Sequence, residues 1–102
     1  MCSGGSVPFK ATVTAEGTKL FSNKPNMRYV RISNLSSSYV SLAPKYAGTA
    51  DNCPVEFGEG IVLAPKGTPG WFIEFNNNNM FYSDYWAITE SGNADIAVLI
   101  GI

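Results

Sequence analysis

The stretch "ADIAVLIGI", Ala94 to Ile102, decides the fold. Side chains alternate across an extended chain, so Ile96, Val98 and Ile100 fall on one side and Ala97 and Leu99 on the other. A strand that is apolar on both sides must be covered on both, which makes it central in a sheet or packed at an interface. Two antiparallel sheets packed face to face meet that requirement in 102 residues, a length that allows one core and a radius of gyration of about 13 Å.

The same period recurs upstream. In "FKATVTA", Phe9, Ala11, Val13 and Ala15 alternate with Lys10, Thr12 and Thr14, a strand with one wet face. "GTKLF" follows a glycine turn. In "MRYVRISNL", Val30 and Ile32 alternate with Tyr29, Arg31 and Ser33; after "SSS", Val40 and Leu42 alternate with Tyr39 and Ser41. Residues 27–43 therefore predict an antiparallel hairpin with Tyr29, Arg31, Tyr39 and Ser41 together on its outer face. "GIVLAPKG" gives a short strand at Ile61 to Leu63 stopped by a turn. No ten-residue window has a helical period, and the prediction is all-β: an antiparallel β-sandwich or jelly roll of about eight short strands, with a small closed barrel as the alternative. Residues 9–102 form this single domain, and "CSGGS" makes residues 1–8 a flexible arm. The segment 45–60, "KYAGTADNCPVEFGEG", has no steady period and reads as a long loop with at most one short strand; such loops are often functional or ordered by a partner.

Pro69 to Ile88, "PGWFIEFNNNNMFYSDYWAI", holds more than half of the chain's aromatic residues, which comprise 2 Trp, 5 Tyr and 6 Phe. Trp71, Ile73 and Phe75 share one face, with Phe72 and Glu74 on the other. Beyond the asparagines, Tyr82, Asp84, Trp86 and Ile88 alternate against Tyr85 and Ala87. The reading is a hairpin in which Trp86 and Ile88 join the core. Asparagine suits its turn, since it tolerates left-handed backbone angles and bonds its own main chain. Both faces carry aromatics, and so small a domain hides only one. The surplus face is able to stack bases or sugars, or to be covered by other chains. Bases are disfavoured because Glu74 and Asp84 are the nearest charges. Sugars remain an alternative, as aromatic, Asn and Asp groups serve carbohydrate sites. Cover by protein also accounts for a charged fraction of 15%, below the usual ~25%.

The charges are divided along the chain. Six basic residues stand against Glu16 in residues 1–50, and Lys66 stands against seven acids in residues 51–102. Either the strands of the two halves interleave and mix these charges, or the domain is bipolar and meets a complementary neighbour. Seven basic residues without a cluster do not build a phosphate-binding stripe, so nucleic acid is not an expected partner. No run approaches the roughly 18 apolar residues of a membrane span, and "MCSGGS" lacks a signal-peptide pattern. No membrane is expected, synthesis is expected in the cytoplasm, and Cys2 and Cys53 are expected as free thiols.

Catalytic inventory is thin. Without histidine the usual general base is missing and a Ser-His-Asp or Cys-His site cannot form. Cys2 and Cys53 make no Cys-x-x-Cys pair. Glu56 and Glu59 are close enough to invite a paired-carboxylate reading, yet in a glycine-rich loop they read as solvated acids. Asp51, Glu56 and Glu59 follow no calcium-loop signature. No enzyme activity, metal or cofactor is expected.

Three motifs, "NKPNMRYVRISNLSSSYVSL", "GIVLAPKG" and "YWAITESGNADIAVLIGI", run in order over residues 23–102. Together they resemble a class of short all-β proteins of tailed bacteriophages. That resemblance implies a non-enzymatic virion component, a capsid decoration or cement protein bound to the major capsid protein or another virion protein. It also implies a homo-oligomer, with a trimer favoured; tail and fibre attachment domains look similar. Contacts are then expected on the arm (Cys2, Val7), the long loop (Tyr46, Asp51, Val55, Phe57) and the turn near the asparagines (Asn77, Asn78, Met80, Phe81).

Overall fold

The computed structural model describes residues 6–22, 26–44 and 56–101. In chain order the strands are β1 (Ser6–Val13), β2 (Thr18–Phe21), β3 (Tyr29–Asn34), β4 (Val40–Pro44), β5 (Ile61–Leu63), β6 (Phe72–Phe75), β7 (Tyr85–Thr89) and β8 (Ala94–Gly101). They form two four-stranded sheets, ordered β1-β8-β3-β6 and β2-β7-β4-β5, with every pairing antiparallel. This double Greek key is a jelly roll, the second of the two forms expected, and it is not a closed barrel. Its radius of gyration is 13.0 Å.

β8 sits between β1 and β3, the central placement, one of its two expected positions. Ile96, Val98 and Ile100 are buried between the sheets, and Ala97 and Leu99 lie half-buried on the outer side. The register with β1 runs unbroken from Ser6 opposite Gly101 to Val13 opposite Ala94. Val30, Ile32, Val40, Leu42 and Leu63 complete the aliphatic core, each burial stabilising the fold by about 1.5–3 kcal/mol. An aromatic cluster closes one end. Phe21 stacks on Tyr85 at 4.5 Å, and Phe75 meets the same ring edge-on at 5.9 Å. A register shift between Lys19 and Phe21 turns both Leu20 and Phe21 inward, which a regular strand would not allow.

Several expectations are corrected by the pairing. Residues 27–43 are not a hairpin: β3 and β4 lie in different sheets, so the connection between them crosses the sandwich. Tyr29 and Arg31 are thereby separated from Tyr39 and Ser41, and Ser41 is buried although it faces away from the core. The aromatic segment is likewise a crossover, with β6 in one sheet and β7 in the other, and β7 and β8 are divided in the same way. Alternation shows which side of a strand is apolar but is silent about which strand lies beside it. Trp86 and Ile88 are buried, yet Tyr85 and Ala87 are the β7 residues that fill the core cluster. The strand begins earlier than expected at the N-terminus, because Val7 and Pro8 pair with Ile100 and Leu99 instead of belonging to an arm. Residues 1–5 lie outside the described residues.

The lopsided charge is resolved by topology. In each sheet, strands from the first half of the chain alternate with strands from the second. Arg31 stands opposite Glu74, and Lys19 pairs with Asp84 at 3.5 Å. The interleaved reading is therefore the right one for these strands.

Candidate interaction surfaces

The two outer faces differ. On the β2-β7-β4-β5 sheet, Trp86 and Ile88 are 5% and 8% exposed although they point away from the core cluster. Ser41 and Ala43 on neighbouring β4 are buried too. The connection entering β5 folds over them: the Gly58 amide donates to the Ser41 hydroxyl at 2.7 Å. Gly60 lies so close to β4 that an added Cβ would fall 2.5 Å from the Leu42 carbonyl oxygen and 3.0 Å from the Ala43 Cβ. Part of this chain thus covers its own sheet.

The outer face of β1-β8-β3-β6 has no such cover among the described residues. Register sets Pro8, Leu99, Arg31 and Glu74 in one row, with Lys10, Ala97, Ser33 and Phe72 in the next. Pro8, Lys10, Arg31, Ala97 and Leu99 line a shallow depression of about 690 Å³. Phe72 is 37% exposed. The Arg31 guanidinium lies 4.4 Å from its ring centroid, and the Tyr29 hydroxyl donates to the Glu74 carboxylate at 2.5 Å. That bond, with some desolvation, holds the Tyr29 phenol above its ordinary pKa. The result is a surface with an apolar floor on which the Arg31 and Glu74 charges are each held by an aromatic side chain. Pro8 and Lys10 on edge strand β1 discourage indiscriminate strand pairing.

No family model matches this chain, and no curated protein matches its sequence. A solved structure does share its architecture: a protein of Bacillus endospore appendages, described as a novel family of disulfide-linked pili. The two superpose with a TM-score of 0.51 at 15% identity, over 96% of this chain and 84% of that one. The fold is shared.

The residues expected as contacts are scattered. Asn77 and Asn78 are exposed in the β6–β7 connection, and Phe81 and Tyr82 beside them are 51% and 50% exposed. The asparagines bond their own backbone as expected: the Asn76 amide donates to the Asn79 side-chain oxygen at 2.6 Å and the Asn78 amide to that of Asn76 at 2.9 Å. No left-handed angle is needed, since among the described residues only glycines have positive φ. Phe81 leans edge-on against Phe75 at 5.5 Å, and Met80 packs against the core. Tyr82 bonds the Met27 carbonyl at 3.3 Å, tying this tip to the entry of β3. Val7 is exposed in β1. Phe57 is elsewhere, half-buried beside Tyr39 and Val62. Cys2, Tyr46, Asp51 and Val55 lie outside the described residues.

Leu99, Arg31, Phe72 and Glu74 were absent from that expected set. Part of the signal was present, because alternation puts Arg31 on an outer face and Phe72 with Glu74 on one face of their strand. What it lacked was the pairing that brings them together. Among the described residues no three potential metal ligands converge, and no helix is long and apolar enough to cross a membrane.

Proposed function

We propose that this protein is a non-enzymatic structural subunit, a decoration or cement protein that seats the β1-β8-β3-β6 face on an assembled phage shell. The carrying observation is the asymmetry of the two outer faces. One is covered over Ser41 and Ala43 by the turn at Gly58 and Gly60 that enters β5, while the other keeps Phe72, Leu99 and Ala97 at the surface among Arg31, Lys10 and Glu74. Exposed apolar area rimmed by polar groups marks a protein-binding surface. The phage assignment rests on the sequence resemblance over residues 23–102, and with it come a homo-oligomer, a trimer favoured, and residence in the virion.

A second assembly reading is a self-associating filament subunit. It is favoured by the Bacillus appendage protein, which has the same fold and is described as forming pili. One experiment separates the two. Light scattering and negative-stain imaging of the purified chain, followed by co-sedimentation with phage capsids, should give discrete oligomers that pellet with shells. Filaments without shells would favour the second reading, and a monomer that binds no shell would remove both.

A further inference from the structure

Away from the bare sheet, three connections converge at one end of the covered sheet on a cup of about 440 Å³ lined by Ser38, Tyr39, Phe57, Val62, Glu90 and Ser91. We propose that this cup is a saccharide-binding site for neutral or amino-bearing sugars, independent of the assembly face.

Each wall is held by a buried polar residue. Asn34, fully buried at the end of β3, donates to the carbonyls of Ser38 and Ala64 at 2.7 and 2.9 Å and accepts from the Ser36 amide and hydroxyl at 3.0 and 2.8 Å. That fixes the backbone presenting Ser38 and Tyr39. Thr89, also buried, donates to the Gly92 carbonyl at 2.7 Å and sets the turn carrying Glu90 and Ser91. Ser41 accepts from Gly58 at 2.7 Å and the Glu56 amide donates to Glu59 at 2.6 Å, which together hold the turn that delivers Phe57. Side chains that bind must be placed before the ligand arrives if ordering is not to consume the affinity.

The lining selects the ligand. Tyr39 is 56% exposed, with Val62 and Phe57 beside it, an apolar patch set on a fixed backbone. Among the described residues the Ser38 and Ser91 hydroxyls and the Glu90 carboxylate make no hydrogen bond, and so stand ready at the rim. An aromatic face with a negative π cloud accepts the C–H side of a pyranose, while hydroxyls and a carboxylate take its O–H groups. The volume lies within the ordinary range of small-ligand sites. Among the described residues no lysine or arginine lines the cup, and Glu90 repels anions, so the lining disfavours phosphate, sialic acid and uronic acid.

The full chain should be screened on a glycan array of neutral, amino-bearing and acidic oligosaccharides. Bound neutral or amino sugars would then be titrated by amide NMR, following Tyr39, Val62, Glu90 and Ser91. Expected are shifts at those amides, a loss of roughly tenfold or more in affinity in Tyr39→Ala, and retention in Tyr39→Phe. Both positions are exposed, and a melting curve checks each fold; Val62→Lys, which fills the cup from an exposed position, is the second blocking variant. The proposal is overturned by absence of binding at millimolar sugar, by a preference for acidic glycans, or by binding that Tyr39→Ala and Val62→Lys leave unchanged. None of these outcomes bears on shell binding, which uses the opposite sheet.

Discussion

Arg31 and Phe72 stand on neighbouring strands of the bare sheet with the guanidinium carbon 4.4 Å from the ring centroid. Each holds the other in place at the surface: the ring gives the cation a face to lie on, and the cation limits how the ring swings. A contact of this kind at an exposed site contributes about 0.5–1 kcal/mol to stability. Its larger consequence is a rigid aromatic and a directed charge side by side, the residue types that dominate binding hot spots.

Phe72→Ala and Leu99→Glu should therefore leave the fold within about 1 kcal/mol of the parent in urea denaturation while removing association. Co-sedimentation or light scattering reads the association. If both variants assemble like the parent, this face is not the contact.

Asn34→Ala should cost about 3 kcal/mol, because it strips partners from the Ser38 and Ala64 carbonyls and from Ser36 in a fully buried place. Asn34→Asp should destabilise at neutral pH and partly recover in acid, since a carboxylate cannot donate to two carbonyls and a buried charge is penalised. Chemical denaturation at two pH values measures both. A neutral Asn34→Ala would show that the β3–β4 connection does not depend on this network.

Two glycines with left-handed angles should separate strain from crowding. Gly60 has φ +71° with β4 against it, whereas Gly67 has φ +85° and open space. Gly67→Ala is expected to cost about 1 kcal/mol, and Gly60→Ala about 3 kcal/mol or more, because the latter must also push the connection off Leu42 and Ala43. Melting temperatures decide; equal costs would mean the connection yields freely.

Tyr85 supplies the pH dependence. Burial pushes its phenol from 10.0 up to about 12, and its hydroxyl donates to the Phe81 carbonyl at 2.8 Å. The unfolded chain loses this proton first, so the stability it contributes is complete below about pH 10 and is lost progressively as pH climbs towards 12. Ultraviolet titration should show this tyrosine ionising last, together with loss of the fold. Tyr85→Phe should flatten that alkaline decline, at a cost of about 1 kcal/mol near neutrality.

The sequence by itself determined that the protein is all-β, that Ile96, Val98 and Ile100 share one face of their strand, and that this strand is apolar on both faces. It also put Trp71, Ile73 and Phe75 on one face of their strand and Phe72 and Glu74 on the other, by a two-residue period acting within one strand, while leaving open which face meets the core. Only the tertiary structure decided that β3 pairs with β8 and β6 instead of β4, and so assembled the face shared by Arg31, Phe72 and Leu99. The cup formed by Tyr39, Phe57 and Glu90 was equally hidden, because its residues come from connections far apart in the chain. Periodicity is a local property of one strand, whereas partnership is selected by the burial and hydrogen bonding of all strands together.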